Sequence, residues 1–127
     1  MILFDEVIAI HNLAIEEFGG KNNIRDTALL ESAFNRPFAT FDGIDLYATV
    51  IDKAAAIAES IIKKHPFHDG NKRIGYIILR AILRKNKIDI SASEDEKYDF
   101  IIDIAEGKID FDAIVEWLKN NTVSLSK

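Results

Sequence analysis

From Asn71 to Asn86 the chain carries Ile74, Ile77, Ile78, Leu79, Ala81, Ile82 and Leu83, which at helical spacing cover most of a helix's circumference. Arg73, Tyr76, Arg80 and Arg84 are left on one narrow strip, of which Arg80 and Arg84 read as solvated or salt-bridged. A helix that is apolar nearly all round must be wrapped by other helices, so this segment belongs in the middle of a bundle.

Its partners are legible on both sides. Phe4, Val7, Ile8, His11, Ala14, Ile15 and Phe18 recur at spacings of three and four, which predicts an amphipathic helix over residues 3 to 18, stopped by Gly19-Gly20. His11, on its apolar face, reads as a packed core histidine rather than a ligand. Asp26 is a good N-cap for a short helix that turns Leu29, Leu30, Ala33 and Phe34 inward and ends at Arg36-Pro37. Aromatic and β-branched residues around Asp42-Gly43 predict a loop or small hairpin over Phe38 to Ile44. From Leu46 to Lys64, Val50, Ala54, Ile57, Ala58 and Ile61 form an inner face, with Asp52, Lys53, Glu59, Lys63 and Lys64 expected in water. Ser93 and Glu96 make a capping box ahead of Tyr98, Ile101, Ile102 and Ala105, and Gly107 supplies the stop. Asp110 caps a last helix that buries Phe111, Ile114, Val115 and Leu118. The expected fold is all-α, a bundle of about six helices with room for one small hairpin, and the 127 residues suit a single domain spanning 1–127.

Charge and composition exclude some functions. A net charge of -5 does not support wrapping a nucleic acid backbone, so no DNA binding is expected. Cysteine is absent, which removes disulfides and thiolate zinc sites and suits a reducing compartment. The N-terminal residues lack a signal-peptide pattern and no apolar run approaches a membrane span, so the chain reads as cytoplasmic with no membrane partner.

Between the two most apolar helices lies a crowded polar stretch, His65-Pro66-Phe67-His68-Asp69-Gly70-Asn71-Lys72-Arg73. Polar crowding at a helix junction is costly unless something uses it. The first turn of a helix leaves backbone N–H groups without internal partners and carries the positive end of the macrodipole, so an anion is favoured there. Gly70 admits ligand oxygens close to the backbone, Asn71 offers an amide donor, and Lys72 and Arg73 supply a point charge and a planar fork. That set suits a polyphosphate better than a single carboxylate. Asp69 fits beside phosphates if a Mg²⁺ ion bridges them. His65, at the end of the preceding helix, has the right chemistry to take a proton from an attacking hydroxyl. Phe67 reads as an inward anchor. Plainer readings remain open: Asp69 as a helix cap, or His65, His68 and Asp69 as a metal site limited to three ligands. Arg25, Glu31 and Arg36 read as surface charges.

The nine residues resemble the Fic/Doc signature, whose usual Fic form is H-P-F-x-[DE]-G-N-G-R. Lys72 in place of the second glycine resembles the Doc, or death-on-curing, branch, and so does the upstream run Arg25-Asp26-x-x-Leu29-Leu30-Glu31-Ser32-Ala33-x-x-Arg36-Pro37. The resemblance implies that His65 activates a hydroxyl, Asp69 holds Mg²⁺, and Gly70, Asn71 and Arg73 bind phosphates. It also implies that the segment near Phe38 to Gly43 is a flap that aligns a target protein. Two departures from the nucleotidyl-transferring form matter. Lys72 fills space that a phosphate occupies in AMP transfer, and Tyr76 stands where a second arginine clamps the outer phosphates. In Doc-like proteins the lysine form goes with phosphorylation, which implies γ-phosphoryl transfer from ATP to a Ser or Thr hydroxyl of a protein, for example elongation factor Tu. Pro66 and Gly70 follow the Fic form instead, so AMP transfer is the alternative. A degenerate partner-binding scaffold and hydrolysis of a nucleotide or modification are others. The self-inhibitory motif [ST]-x-x-x-E-[GN] is not matched: Ser32 follows Thr27-x-x-x-Glu31, and Ile102 stands where Glu106-Gly107 requires a hydroxyl. Inhibition is therefore expected from a separate antitoxin.

Overall fold

The side chain of Asp26 accepts the Leu29 N–H at 3.0 Å and so caps helix α1, Thr27–Asn35. The computed structural model describes residues 24–125 and, before them, Ala9, Asn12, Leu13 and Glu16. Those four are helical and exposed, on the face opposite the expected apolar stripe. The rest of the helix expected over residues 3 to 18, with His11, lies outside the described residues.

Pro37 ends α1 as anticipated, in a short 3-10 turn, Arg36–Phe38. A hairpin follows, β1 (Thr40–Phe41) paired antiparallel with β2 (Ile44–Asp45). Asp42 and Gly43 both adopt positive φ, 51° and 78°, the two-residue connection that matches the right-handed twist of the strands. The ladder runs on through the Leu46 N–H to the Ala39 carbonyl at 3.0 Å, so Leu46 belongs to the hairpin and not to the following helix.

Helix α2, Val50–Lys64, begins at Thr49, which forms a reciprocal capping box with Asp52. It is more central than its pattern suggests, since every residue from Ala54 to Ile62 is buried. Glu59, expected in water, is among them. A carboxylate is tolerated there because Arg36 lies 2.9 Å and Lys63 3.1 Å away. Helix α3, Asn71–Lys85, packs along α2 and buries Ile74, Ile78, Leu79, Ile82 and Leu83. Gly75 permits that approach: a Cβ built there would lie 2.5 Å from Ile62 Cγ1.

Strand β3, Ile88–Ile90, leads to α4, Glu94–Ala105, capped by the expected box of Ser93 and Glu96, and then to α5, Phe111–Asn120, capped by Asp110. Phe100 and Trp117 stack between α4 and α5, ring centroids 3.8 Å apart. The chain then returns as β4, Thr122–Ser124, antiparallel to β3 with Asp89 opposite Val123. The described residues thus form five α-helices and two small antiparallel sheets, a mostly helical fold as expected but not an all-α one. The second sheet escaped the sequence because three-residue strands carry too short an alternation to read. None of the described helices is long and apolar enough to cross a membrane.

Candidate active site

His65 closes α2 in the left-handed region, φ 54° and ψ 58°, a conformation uncommon for a residue with a Cβ. Pro66 follows at once and bars continuation of the helix. The chain dips inward at Phe67, which is 1% exposed, and re-emerges at His68 and Asp69. Phe67 is the inward anchor its sequence position suggested.

Gly70 is the N-cap of α3 with φ 79° and brings no side-chain cap of its own. This glycine is therefore required by its backbone as well as by any ligand. Asp69 accepts the Gly70 N–H at 2.8 Å, a turn-stabilising contact compatible with metal binding as well. Asn71 behaves differently from its expected part as a phosphate donor. It is buried, its Oδ1 accepting the Phe67 N–H at 3.1 Å and its Nδ2 donating to the Phe67 carbonyl at 2.9 Å. Its amide clamps the loop, leaving its backbone N–H at the first helical position for an anion. Lys72 and Arg73 are exposed on the first turn of α3, next to that end. Among the described residues no three His, Asp or Glu side chains converge on a point fit for a metal, so the His65, His68 and Asp69 ligand set is not formed.

This loop between two buried helices, with its histidine, acid, glycine and cations in order, coincides with a match of the Fic/DOC family model to residues 2–83. The chain belongs to the Fic/Doc family. It is 36% identical over 99 residues to Toxin Doc of Mycolicibacterium smegmatis, covering 76% of each chain. It is 24% identical over 115 residues to Protein kinase doc of Escherichia phage P1, covering 91% of this chain and 90% of that one. The Doc-like resemblance of the sequence is thereby upheld.

Beside the Fic/Doc motif a groove of about 270 Å³ runs between α3 and α4. Lys72, Arg73 and Tyr76 form one wall and Glu94, Lys97, Tyr98, Ile101 and Ile102 line the other. The motif cations thus help line a partly apolar, aromatic groove. Tyr76, the departure from the second arginine of the Fic form, is one of its walls. The α4 residues were read from the sequence only as the core face of a helix, and nothing in their spacing separates a groove wall from a core.

The upstream arginines are not surface decoration. Arg25 donates from Nε to the His65 carbonyl at 2.6 Å and from Nη2 to the Lys64 carbonyl at 2.8 Å. Arg36 donates to Tyr47 Oη at 2.9 Å, Ser60 Oγ at 3.0 Å and the Ala56 carbonyl at 3.2 Å, and its guanidinium lies over the Tyr47 and Phe111 rings. Burial pulls the Arg36 pKa down, but bonds to Tyr47 and Glu59 outweigh it and hold the group above its ordinary value. Lys53 Nζ donates to the Pro37 carbonyl at 3.2 Å and to the Tyr47 carbonyl, so cations from outside the hairpin fasten its base. Glu31 is exposed, as expected. Arg80 and Arg84 form a salt-bridged strip, both meeting Asp89.

Proposed function

We propose that this chain is a Doc-like toxin kinase that moves the γ-phosphoryl group of ATP onto a Ser or Thr hydroxyl of a protein. The observation that carries this reading is the uncapped start of α3, set between an exposed His65 and a groove with aromatic and aliphatic walls. The naming of a phage relative as a protein kinase supports it.

The groove suits a nucleoside, with Tyr76, Tyr98, Ile101 and Ile102 against the base and Lys72 and Arg73 toward the phosphates. Asp69 is exposed beside the start of α3, where its carboxylate would hold a Mg²⁺ ion. Bound there, Mg²⁺ would neutralise charge between carboxylate and phosphates. His65 takes the proton of the attacking hydroxyl, whose oxygen forms the new bond to the γ-phosphorus as the bond to the β,γ-bridging oxygen breaks and ADP leaves. The backbone N–H groups at the start of α3, with Lys72 and Arg73, stabilise the charge that spreads over the transferring group.

The family resemblance favours a translation factor such as elongation factor Tu as target, a separate antitoxin protein as inhibitor, and a cytoplasmic setting. AMP transfer is the second reading, favoured by Pro66 and by the left-handed Gly70 that this chain shares with the Fic form. ATP labelled at either the α or the γ phosphate, supplied with a cell lysate, separates the two. Protein label from the γ position is expected, and label from the α position alone would overturn the kinase reading.

A further inference from the structure

The carbonyls that end α2 have no partners within the helix, and the residue in that position is the histidine read above as the base. Three successive carbonyls there are taken up by one short strap of chain, Ile24 to Asp26. Arg25 spreads its guanidinium over the carbonyls of Lys64 and His65, at 2.8 and 2.6 Å. The backbone N–H groups of Arg25 and Asp26 both point to the Pro66 carbonyl, at 2.8 and 3.0 Å. Ile24 forms an antiparallel bridge with Phe67. From the other side Asn71 holds the Phe67 peptide through both its N–H and its carbonyl.

The geometry points to Arg25 as the positioning residue that fixes His65 for proton transfer, an inference that rests on His65 being the base. Two of the Arg25 donors go to backbone carbonyls of the loop that carries His65, so the effect argued here passes through His65. A left-handed turn at a residue with a Cβ costs about 1 kcal/mol or more and persists only where surrounding contacts fix it. With the strap in place the His65 backbone is fixed, and the imidazole is left only its own side-chain torsions. An arginine suits this task because its planar fork places two donors at a set spacing, whereas a lysine ammonium offers a single point of attachment. Its charge also meets the negative end of the α2 macrodipole. Asp26 continues the strap into α1 by capping that helix, so the grip on the loop is continuous with the body of the fold.

Arg25→Gln, Arg25→Lys and His65→Asn variants of the full chain test this, with ATP labelled at both α and γ positions and one fixed lysate as acceptor. Rates are taken per folded molecule, with folding followed by circular dichroism. Loss of position lowers kcat, and a misplacement of about 1 Å costs on the order of 10²-fold, so a fall of about tenfold or more is expected for Arg25→Gln. KM for ATP stays within about twofold, and Arg25→Lys lies between the two because one of two attachments survives. A kcat for Arg25→Gln equal to that of the parent, or a loss confined to KM, overturns the assignment. If Arg25→Gln does not fold, Arg25→Lys decides: kcat reduced at constant KM supports the inference, and an unchanged kcat overturns it. Transfer that survives His65→Asn overturns the reading of the base and this inference with it. Transfer that is lost in His65→Asn but unaltered by Arg25 substitution overturns the positioning role alone.

Discussion

Lys72 stands exposed on the second residue of α3 and lines the groove, where the nucleotidyl-transferring form of the motif has no side chain at all. Removing it changes both charge and space, so Lys72→Gly is expected to lower label transfer from the γ position by about a hundredfold, the scale of losing one donor to a developing oxyanion. Equal γ transfer by this variant would show that Lys72 does not select the chemistry. Asn71 makes a different prediction, because its amide satisfies two buried backbone groups of Phe67. Asn71→Ala orphans both, and a loss of about 2 kcal/mol or more in urea unfolding is expected. An unfolding midpoint like that of the parent chain would mean that water replaces the clamp. At this scale the motif was legible because its chemistry sits in contiguous residues. Arg25 was not, since its partners are carbonyls 39 and 40 positions away and carbonyls leave no mark in a sequence. Glu59 was misplaced in water for a related reason: a charged letter gives no sign of a guanidinium folded over it.

The pairing of α2 with α3 rests on one glycine. A Cβ at Gly75 meets Ile62 Cγ1 at 2.5 Å and Cδ1 at 2.9 Å, so the helices must part or Ile62 must leave its rotamer. Gly75→Ala is expected to cost about 1 to 3 kcal/mol by overpacking. The same substitution combined with Ile62→Ala should cost less than the sum of the two single changes, because the methyl then enters the vacated space. Strict additivity in thermal or urea unfolding would place the clash elsewhere. Helix positions were predictable because caps and periods are local: Asp26, Ser93 and Asp110 all cap where their sequence contexts suggest. The hairpin was legible through Asp42-Gly43 alone. The β3–β4 pair joins segments on either side of α4 and α5, with nothing local to announce it.

Across the whole molecule, Asp89 ties β3 to α3, accepting from Arg80 at 3.0 and 3.1 Å, from Arg84 at 2.6 Å and from the Ile90 N–H at 2.8 Å. The Arg80 bond leads in pulling the carboxyl from its ordinary value of 3.8 to about 2, against the opposing effect of burial. Because the folded value is depressed, the associated stability is complete above the unfolded value near 3.8 and is lost as pH falls toward about 2. The two guanidiniums are half exposed, which reduces the contribution to on the order of 1 to 2 kcal/mol. Asp89→Asn should remove that amount at neutral pH and flatten the acid limb of a stability-against-pH curve. An acid limb unchanged from that of the parent would count against the linkage. The β1–β2 hairpin carries Phe41 and Ile44 about 70% exposed. A two-stranded ribbon of this length has little stability of its own, so its tip opens far more often than the core does. Native-state digestion with chymotrypsin is therefore expected to cut first after Phe41. That nick puts Arg25 on one fragment and the loop it holds on the other, joined only through packing and hydrogen bonds. The denaturant needed to part the fragments then becomes a direct measure of how firmly the first third of the chain is docked.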